Sequence, residues 1–138
     1  MTTFDPRKFR ELVFLTLFSF DMGQGPSDPL FELIALECKV SKRHVLEASV
    51  RAEAILKRRD ECDALITSVC DDYRIERIMC AERNVLRLAI FELMFEQQLP
   101  EAVVFAEAKR LALKFSTREA ATFVHSILGA IKERSHGP

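Results

Sequence analysis

The chain has 138 residues, of which 49% are hydrophobic and 30% are charged, and this balance is typical of one soluble globular domain. The net charge of −1 argues against a strong stand-alone nucleic-acid binder, although it leaves room for a local basic patch. The N-terminus lacks a signal peptide and no apolar run is long enough to span a membrane, so we expect a cytoplasmic protein.

The first helix is predicted from its start signal and its apolar stripe. Asp5 followed by Pro6 is typical of an N-cap with proline at the first helical position. Apolar residues then recur at helical spacing to about Met22, and the loop GQGPSDP follows. Either Ser27 or Asp28 can cap a short second helix after this loop.

The remaining helices follow from the same signals. Ser41 is the predicted cap of a third helix, whose apolar pattern continues to about Asp72. The stretch ERNVLRLAIFELMF, residues 82–95, predicts a buried central helix, because its apolar residues cover nearly the whole circumference. A helix over 101–115 comes next. The last helix is expected to begin at Ser116, since Ser116 and Glu119 form the S-x-x-E pattern of a capping box.

Two charged residues, Arg87 and Glu92, lie inside the apolar central helix. They cannot pair with each other, because positions five apart on a helix point in different directions. A buried charge without a partner costs several kcal/mol, so each needs a partner of its own. The helix therefore either packs these charges against other helices or presents one end to an outside partner.

No constellation of catalytic residues is visible, and we predict that the protein is not an enzyme. The sequence contains no H-E-x-x-H, G-x-S-x-G, P-loop or G-x-G-x-x-G motif. The four cysteines lack zinc-site spacing and mostly lie in apolar patterns, which indicates buried free thiols and no metal site. Binding is the function class that remains.

Basic residues cluster in two places that suit phosphate binding. Arg7, Lys8 and Arg10 lie at the start of the first helix, and Lys109, Arg110, Lys114 and Arg118 lie around the junction before the last helix. A helix start offers free backbone N–H groups beside the side-chain charges. On charge alone, a solvated helix face is the favoured explanation of these residues.

Five segments together resemble the NusB family of transcription antitermination factors over nearly the whole chain. They are RKFRELVFLTLFSFD at the start, RIERI at 74–78, NVLRLAIFEL at 84–93, LPEAVVFAEAKRLALKFS at 99–116 and FVHSIL at 123–128. The resemblance implies an all-α, NusB-like fold of six or seven helices in one domain. Its N-terminal bundle would cover about residues 5–72 and its C-terminal bundle about 73–134, before a frayed tail at 135–138.

The resemblance also implies a function. Proteins of this family pair with NusE, a ribosomal protein of the small subunit, and the pair binds boxA, a single-stranded element in nascent RNA. The resulting complex keeps RNA polymerase from terminating early, notably on ribosomal RNA operons, and it needs no cofactor. Homodimerisation that occludes the RNA face is a further expectation from the family.

Particular residues match functional positions of the family. Arg7, Lys8 and Arg10 match its basic N-terminal segment on the RNA face, and Phe123 matches an aromatic residue near that face. The residues that match positions at or near the NusE interface are Phe18, Glu82, Arg87 and Glu119.

Structural roles compete with several of these assignments. Phe123 and Phe18 also fit the apolar stripes of their helices, and Glu119 also fits the capping box. For Arg87, we expect a carboxylate on another helix as partner, with Glu107 and Asp63 the candidates.

Two readings of the function remain open on the sequence. His125 and Ser126 stand where the family commonly has Asn-Gly, so the chain could be an interaction module that binds NusE with weak or no RNA binding. NusB-like modules are also fused to ribosomal RNA methyltransferases, but this sequence shows no α/β methyltransferase segment.

Overall fold

Seven α-helices make up most of the described chain, which confirms the all-helical prediction. The computed structural model describes residues 4–70 and 75–136. Within those ranges the helices are α1 (Pro6–Asp21), α2 (Asp28–Cys38), α3 (Lys42–Lys57), α4 (Arg59–Val69), α5 (Cys80–Ile90), α6 (Glu101–Phe115) and α7 (Arg118–His136). No helix in the described ranges is long and apolar enough to cross a membrane.

The chain divides into two compact units, Met1–Lys57 and Arg58–Pro138. In the first unit α3 packs against α1 and α2, and in the second α5 packs against α4, α6 and α7. The predicted boundary near residue 72 therefore moves to residue 57, because α4 packs with the helices that follow it. Each unit has its own apolar core.

The helices of the N-terminal unit begin and end where local chemistry favours it. The Asp5 carboxylate accepts a hydrogen bond from the Arg7 N–H at 3.0 Å, so the predicted cap of α1 is confirmed. Of the two candidate caps for α2, Ser27 holds the position, and its hydroxyl accepts from the Leu30 N–H at 3.3 Å. Lys39 ends α2 in the left-handed conformation, at φ 57°.

The single long helix predicted from Ser41 to about Asp72 is wrong, because the chain turns between α3 and α4. Arg58 leaves helical geometry there, at φ −105° and ψ 12°. The pattern of buried residues hides the turn, since Ile55, Cys62 and Ile66 keep helical spacing across it. Asp72 lies outside the described residues.

The central helix has two parts. Residues 84–90 of α5 are all buried, as its apolar circumference predicted. A π-helical turn, Phe91–Glu96, continues it, and Gln97 in the left-handed conformation ends it at φ 54°. At the other end of this unit, α7 remains helical to His136, so residues 135 and 136 do not belong to a frayed tail as predicted, and residues 137–138 lie outside the described part of the chain.

Candidate functional site

The basic segment at the start of the chain lies in the first two turns of α1. Arg7 is exposed, whereas Lys8 and Arg10 are half-buried. The Asp5 carboxylate accepts a hydrogen bond from the Arg7 N–H, so this N–H is already occupied and the Arg7, Lys8 and Arg10 side chains carry positive charge at this end. All three predicted cations are thus on one helix end of the N-terminal unit.

The second basic group surrounds the turn between α6 and α7 in the C-terminal unit. Lys114 and Arg118 are exposed, and Phe123 is half-buried one and a half turns into α7. The Lys114 ammonium lies 5.7 Å from the centroid of the Phe115 ring, a cation–π contact that the sequence patterns did not single out. Exposed cations beside partly exposed rings suit a single-stranded nucleic acid, because cations bind phosphates and rings stack on bases.

The start of α7 differs from the predicted capping box. The Thr117 hydroxyl accepts a hydrogen bond from the Ala120 N–H at 3.0 Å, and the helix begins at Arg118. The box at Ser116 and Glu119 is therefore wrong, since a threonine one residue later caps the helix and places an alanine where the box needs an acid. Glu119 is an exposed carboxylate in the first turn of α7, where the helix dipole favours an acid.

Phe18 is a half-buried ring at the edge of the core of the N-terminal unit. Its centroid lies 6.0 Å from that of the fully buried Phe14, at an interplanar angle of 43°. One side of Phe18 thus contributes to packing and part of it remains at the surface. Both the core role and the interface role predicted for Phe18 are compatible with this position.

Arg87 is buried, with 4% of its surface exposed, and the structure selects Asp63 as its partner. Its Nε donates to Asp63 Oδ1 and its Nη2 donates to Asp63 Oδ2, both at 2.8 Å, in a bidentate ion pair. Its Nη1 also donates to Asn84 Oδ1 at 3.3 Å. The other candidate, Glu107, pairs with Arg110 instead.

This ion pair joins α4 to α5 and faces the interior of the C-terminal unit. The backbone carbonyl of Arg87 also accepts a hydrogen bond from the Cys62 thiol, with a sulfur–oxygen distance of 3.8 Å. Burial, and secondarily the nearby Asp63 charge, raises the pKa of Cys62 to about 12, so the thiol stays protonated. Arg87 can therefore influence a partner only by fixing where α4 and α5 lie.

Glu82 is half-buried in the first turn of α5, where the helix dipole favours its carboxylate. Partial burial raises its pKa above the ordinary value. Glu92, the other charge of the apolar stretch, is buried in the π-helical turn. Across the described ranges, no buried side-chain nitrogen or oxygen lacks a hydrogen-bond partner, so the charges of this stretch are satisfied inside the protein.

Asn84 is the member of the Arg87 network that the sequence interpretation missed. Its amide donates to the Cys80 carbonyl at 2.9 Å while its oxygen accepts from Arg87. The sequence spacing could have predicted this contact, because Asn84 precedes Arg87 by three residues and so lies beside it on a helix.

His125, one of the two departures from the family pattern, is exposed on α7. Its ring meets the Phe105 ring of α6 edge to face, at a centroid distance of 5.6 Å. This side chain is therefore turned toward the α6–α7 groove.

The structure thus gathers the predicted residues into separate sets. Arg7, Lys8, Arg10 and Phe18 belong to the N-terminal unit, whereas the other predicted site residues belong to the C-terminal unit. The model of the NusB family matches residues 7–133. The chain belongs to the NusB family. It is a transcription antitermination protein, and its function is not enzymatic.

Relatives from distant bacteria agree with this assignment. Transcription antitermination protein NusB of Chlamydia pneumoniae is 34% identical over 128 residues, which cover 93% of this chain and 80% of the relative. The protein of the same name from Acidothermus cellulolyticus is 36% identical over 126 residues, covering 91% of this chain and 85% of the relative.

Solved structures of the family share the fold. NusB of T. maritima superposes with a TM-score of 0.74 at 30% identity, covering 95% of this chain and 92% of that one. A structure of antitermination factors NusB and NusE in complex with dsRNA has a TM-score of 0.74 at 27% identity, covering 91% of this chain and 93% of the NusB-like chain.

Proposed function

We propose that this NusB-family protein binds boxA-type single-stranded RNA together with NusE and so supports transcription of ribosomal RNA operons. The similar structure of antitermination factors NusB and NusE in complex with dsRNA supports NusE and RNA as partners, and the single-stranded boxA-type element is the finer part of the proposal. A cytoplasmic location and membership of the RNA polymerase antitermination complex belong to the same proposal, because the RNA is bound while it is being made.

The observation that carries the proposal is the basic and aromatic surface at the α6–α7 turn. There Lys114 and Arg118 are exposed, and Phe123 keeps part of its ring at the surface. The cations bind phosphates and the ring stacks on an unpaired base, so the surface has both elements of single-strand recognition. The basic start of α1, with Arg7 and Arg10, adds a second phosphate-binding surface on the other unit.

The charge of the whole chain explains why a partner is needed. A net charge of −1 gives no long-range attraction for RNA, and only the local cations favour phosphate. RNA affinity of the protein alone should therefore be low. A second protein that contributes its own contacts to the same RNA raises affinity without any change in this chain.

The test measures binding of a fluorescently labelled boxA-type RNA by anisotropy, with this protein alone, NusE alone and both, across a series of salt concentrations. We expect the pair to bind far more tightly than either protein. The Lys114→Ala/Arg118→Ala variant should weaken binding and reduce the slope of log affinity against log salt by about 1.4, since each phosphate contact to a single strand contributes about 0.7.

Arg134→Ala is the matched control, because Arg134 is exposed on the same helix as Arg118 but 16 residues further along. That spacing corresponds to about 24 Å along α7. Arg134→Ala removes one charge where the double variant removes two. If it reduces the salt slope by about 0.7, half the change in the double variant, general charge and not the α6–α7 surface attracts the RNA, and the proposed site is wrong.

Phe123 is tested separately, because stacking depends little on salt. Phe123→Leu retains an apolar side chain for α7 packing but removes the ring. We expect it to lower RNA affinity by about 1–3 kcal/mol with an unchanged salt slope. A loss of thermal stability without a loss of RNA affinity would assign Phe123 to the core.

The alternative is a protein-interaction module that binds NusE but binds RNA weakly or not at all. His125 favours it, because this side chain packs on Phe105 at a position where the family commonly has asparagine. The same titration separates the two functions. NusE association without a rise in RNA affinity, and with a shallow salt dependence, would select the alternative.

Glu82, Phe18 and Glu119 are the proposed contacts for NusE, with Arg87 acting behind them. Glu82 and Phe18 are half-buried and Glu119 is exposed, so each presents some surface. Homodimerisation that covers the RNA face is a further proposal. Sedimentation with and without boxA RNA tests it, since RNA should then shift the protein toward the monomer.

A further inference from the structure

Two aromatic rings stack at the end of the N-terminal unit where α1 and α3 both begin. Phe4 directly precedes Asp5, the N-cap of α1, and His44 lies in the first turn of α3. The ring centroids are 3.9 Å apart and the ring planes differ by 17°, so the two rings are nearly parallel. Neither ring belongs to the RNA or NusE contacts proposed for this protein.

Each ring is held in place by the start of its own helix. The Asp5 carboxylate accepts a hydrogen bond from the Arg7 N–H at 3.0 Å, which fixes the backbone next to Phe4. The imidazole of His44 shares a hydrogen bond with the Ser41 hydroxyl, with 3.0 Å between Nδ1 and Oγ. The stacked pair is therefore preorganised, and binding of a ligand to it costs little side-chain entropy.

The stacked pair lies at the surface and not in the core of the unit. Phe4 and His44 are both half-buried, although each ring covers one face of the other. A third ring can extend a parallel pair on an outer face, because offset stacking is favourable at each step. Phe14 and Phe18 differ in this respect, since their planes are tilted by 43° and Phe14 is fully buried. The pair of Phe4 and His44 thus has the geometry onto which a flat ligand can stack.

Exposed cations flank the stacked pair on both helices. Arg7 is exposed three residues after Phe4, and Arg43, which directly precedes His44, has 79% of its side chain exposed. The contact of Arg43 with Glu47 is long, 3.9 Å from Nε to Oε1, and exposed pairs of this kind contribute little to stability. Arg43 can therefore turn to a phosphate at little cost.

The acidic residue at this end decides which part of a nucleotide can lie over the rings. The Asp5 carboxylate is exposed next to Phe4 in the chain, and it repels a phosphate. A base is uncharged and has a flat π-face, so it suits this position, while the phosphates on either side of it suit Arg7 and Arg43. Rings and cations in this combination are what proteins use to bind single-stranded nucleic acid without reading its sequence.

We propose that Phe4 and His44 form a stacking platform for one unpaired base of the bound RNA, with the neighbouring phosphates on Arg7 and Arg43. This role rests on the RNA-binding function proposed for the chain and deepens it. It gives the basic start of α1 an aromatic contact with the RNA, and it adds the start of α3 to the RNA surface. Because every base has a π-face, the stacking platform should accept any base, with some preference for the larger rings of a purine.

The experiment measures the affinity of this protein together with NusE for a fluorescently labelled boxA-type RNA and for a set of abasic RNAs, each of which lacks one base. Phe4→Leu should weaken binding of the intact RNA about 5- to 150-fold, the range for the loss of one base–aromatic stack. At one position, and only there, the abasic RNA should bind the wild type and Phe4→Leu with equal affinity. The ring and the missing base are then the two partners of the same contact.

His44 is tested by a conservative and a disruptive substitution. His44→Phe retains a flat ring and should keep the affinity within about threefold of the wild type, whereas His44→Ala should lose affinity and be coupled to the same RNA position as Phe4→Leu. Phe20→Leu is the matched control, because Phe20 is also half-buried on α1 but lies about 20 Å from the start of the helix. It should leave the affinity for every RNA unchanged.

A stack that only fixes the start of α1 would behave differently. Phe4→Leu would then displace the cations of α1 and reduce the slope of log affinity against log salt, as Arg7→Ala should by about 0.7. The stacking platform requires an unchanged slope in Phe4→Leu. A reduced slope, or the absence of any RNA position coupled to Phe4, would overturn the proposal. A loss of NusE affinity in Phe4→Leu without RNA would also overturn it, because the ring would then contact protein.

The same titrations separate the stacking platform from the RNA-binding function on which it rests. RNA binding that depends on Lys114 and Arg118 but is unchanged in Phe4→Leu and His44→Ala would overturn the stacking platform alone. An absence of RNA binding by the wild type with NusE would overturn both.

Discussion

The buried ion pair between Arg87 and Asp63 should be a main determinant of stability in the C-terminal unit. The side chain of Arg87 is 5% exposed and that of Asp63 is 18% exposed, and the pair is bidentate at 2.8 Å. Removing one member of such a pair leaves a charge that no counter-ion compensates and that water reaches poorly. The loss is about 3–5 kcal/mol for a fully buried pair.

The two single substitutions should not be equivalent. Arg87→Met leaves a carboxylate that water can partly reach, so we expect a loss near the lower end, about 3 kcal/mol. Asp63→Ala removes the carboxylate from the more deeply buried guanidinium, although Asn84 still accepts a hydrogen bond from Arg87 Nη1. This substitution should therefore cost more than Arg87→Met. The double variant should cost less than the sum of the two, because it leaves no charge stranded.

Equilibrium unfolding in urea measures these free energies, and a loss of about 3 kcal/mol should also lower Tm by roughly 10 °C. Lys132→Met is the matched control. Lys132 forms a cross-helix ion pair with Glu101, also at 2.8 Å, but the two side chains are 46% and 42% exposed. Its removal should cost less than about 1 kcal/mol.

Two results would refute this reasoning. One is a loss in Arg87→Met no larger than in Lys132→Met, which would mean that burial adds nothing to the pair. The other is additive losses in the double variant, which would mean that Arg87 and Asp63 do not depend on each other. In conditions where Arg87→Met stays folded, any loss of NusE affinity should accompany the loss of stability, since the guanidinium lies inside the unit and acts through the placement of α4 and α5.

Three further predictions test local features of the fold. Thr117→Ala should cost about 1 kcal/mol in urea unfolding because it removes the cap of α7, whereas Ser116→Ala should cost almost nothing; equal losses would contradict the assigned cap. The thiol of Cys62 has an ordinary pKa of 9.0 in the unfolded state and a pKa of about 12 in the folded state, so above pH 9.0 the unfolded state loses a proton that the folded state keeps. The stability of the wild type should therefore fall with rising pH more steeply than that of Cys62→Ala. Parallel stability curves would argue against a raised pKa. Gly23→Ala should destabilise the protein by about 1 kcal/mol or more because φ there is 97°, whereas Gly25→Ala should be tolerated, and thermal melts that rank them in the opposite order would contradict the backbone assignment.

Much of the secondary structure was predictable because it depends on neighbouring residues. Asp5 and Ser27 cap helices through side-chain oxygens that reach N–H groups two or three residues away, and a short sequence window contains both partners. The sequence also reduced the partner of Arg87 to two candidate carboxylates, because a buried positive charge requires a negative one. The sequence could not choose between Asp63 and Glu107, because that choice depends on which helix packs beside α5.

The misses have a common physical origin. The turn at Arg58 interrupts a pattern that is continuous in sequence, and α4 is directed by its packing against α5 and α7. The boundary between the units was misplaced for the same reason. Both Ser116 and Thr117 are residue types that can cap α7, and the conformation of the turn after α6 determines that Thr117 is the cap.

The helical class, most helix ends and the presence of charges that need buried partners follow from local hydrogen bonding and from the periodicity of apolar residues, so a short sequence window is enough to predict them. Which residues share a surface depends on how the helices pack. Lys114 and Arg118 become one basic surface because the α6–α7 turn leaves both exposed. The turn after α1 and the C-terminal end of α3 line one cavity because the tertiary structure brings them together, and no local pattern encodes that approach.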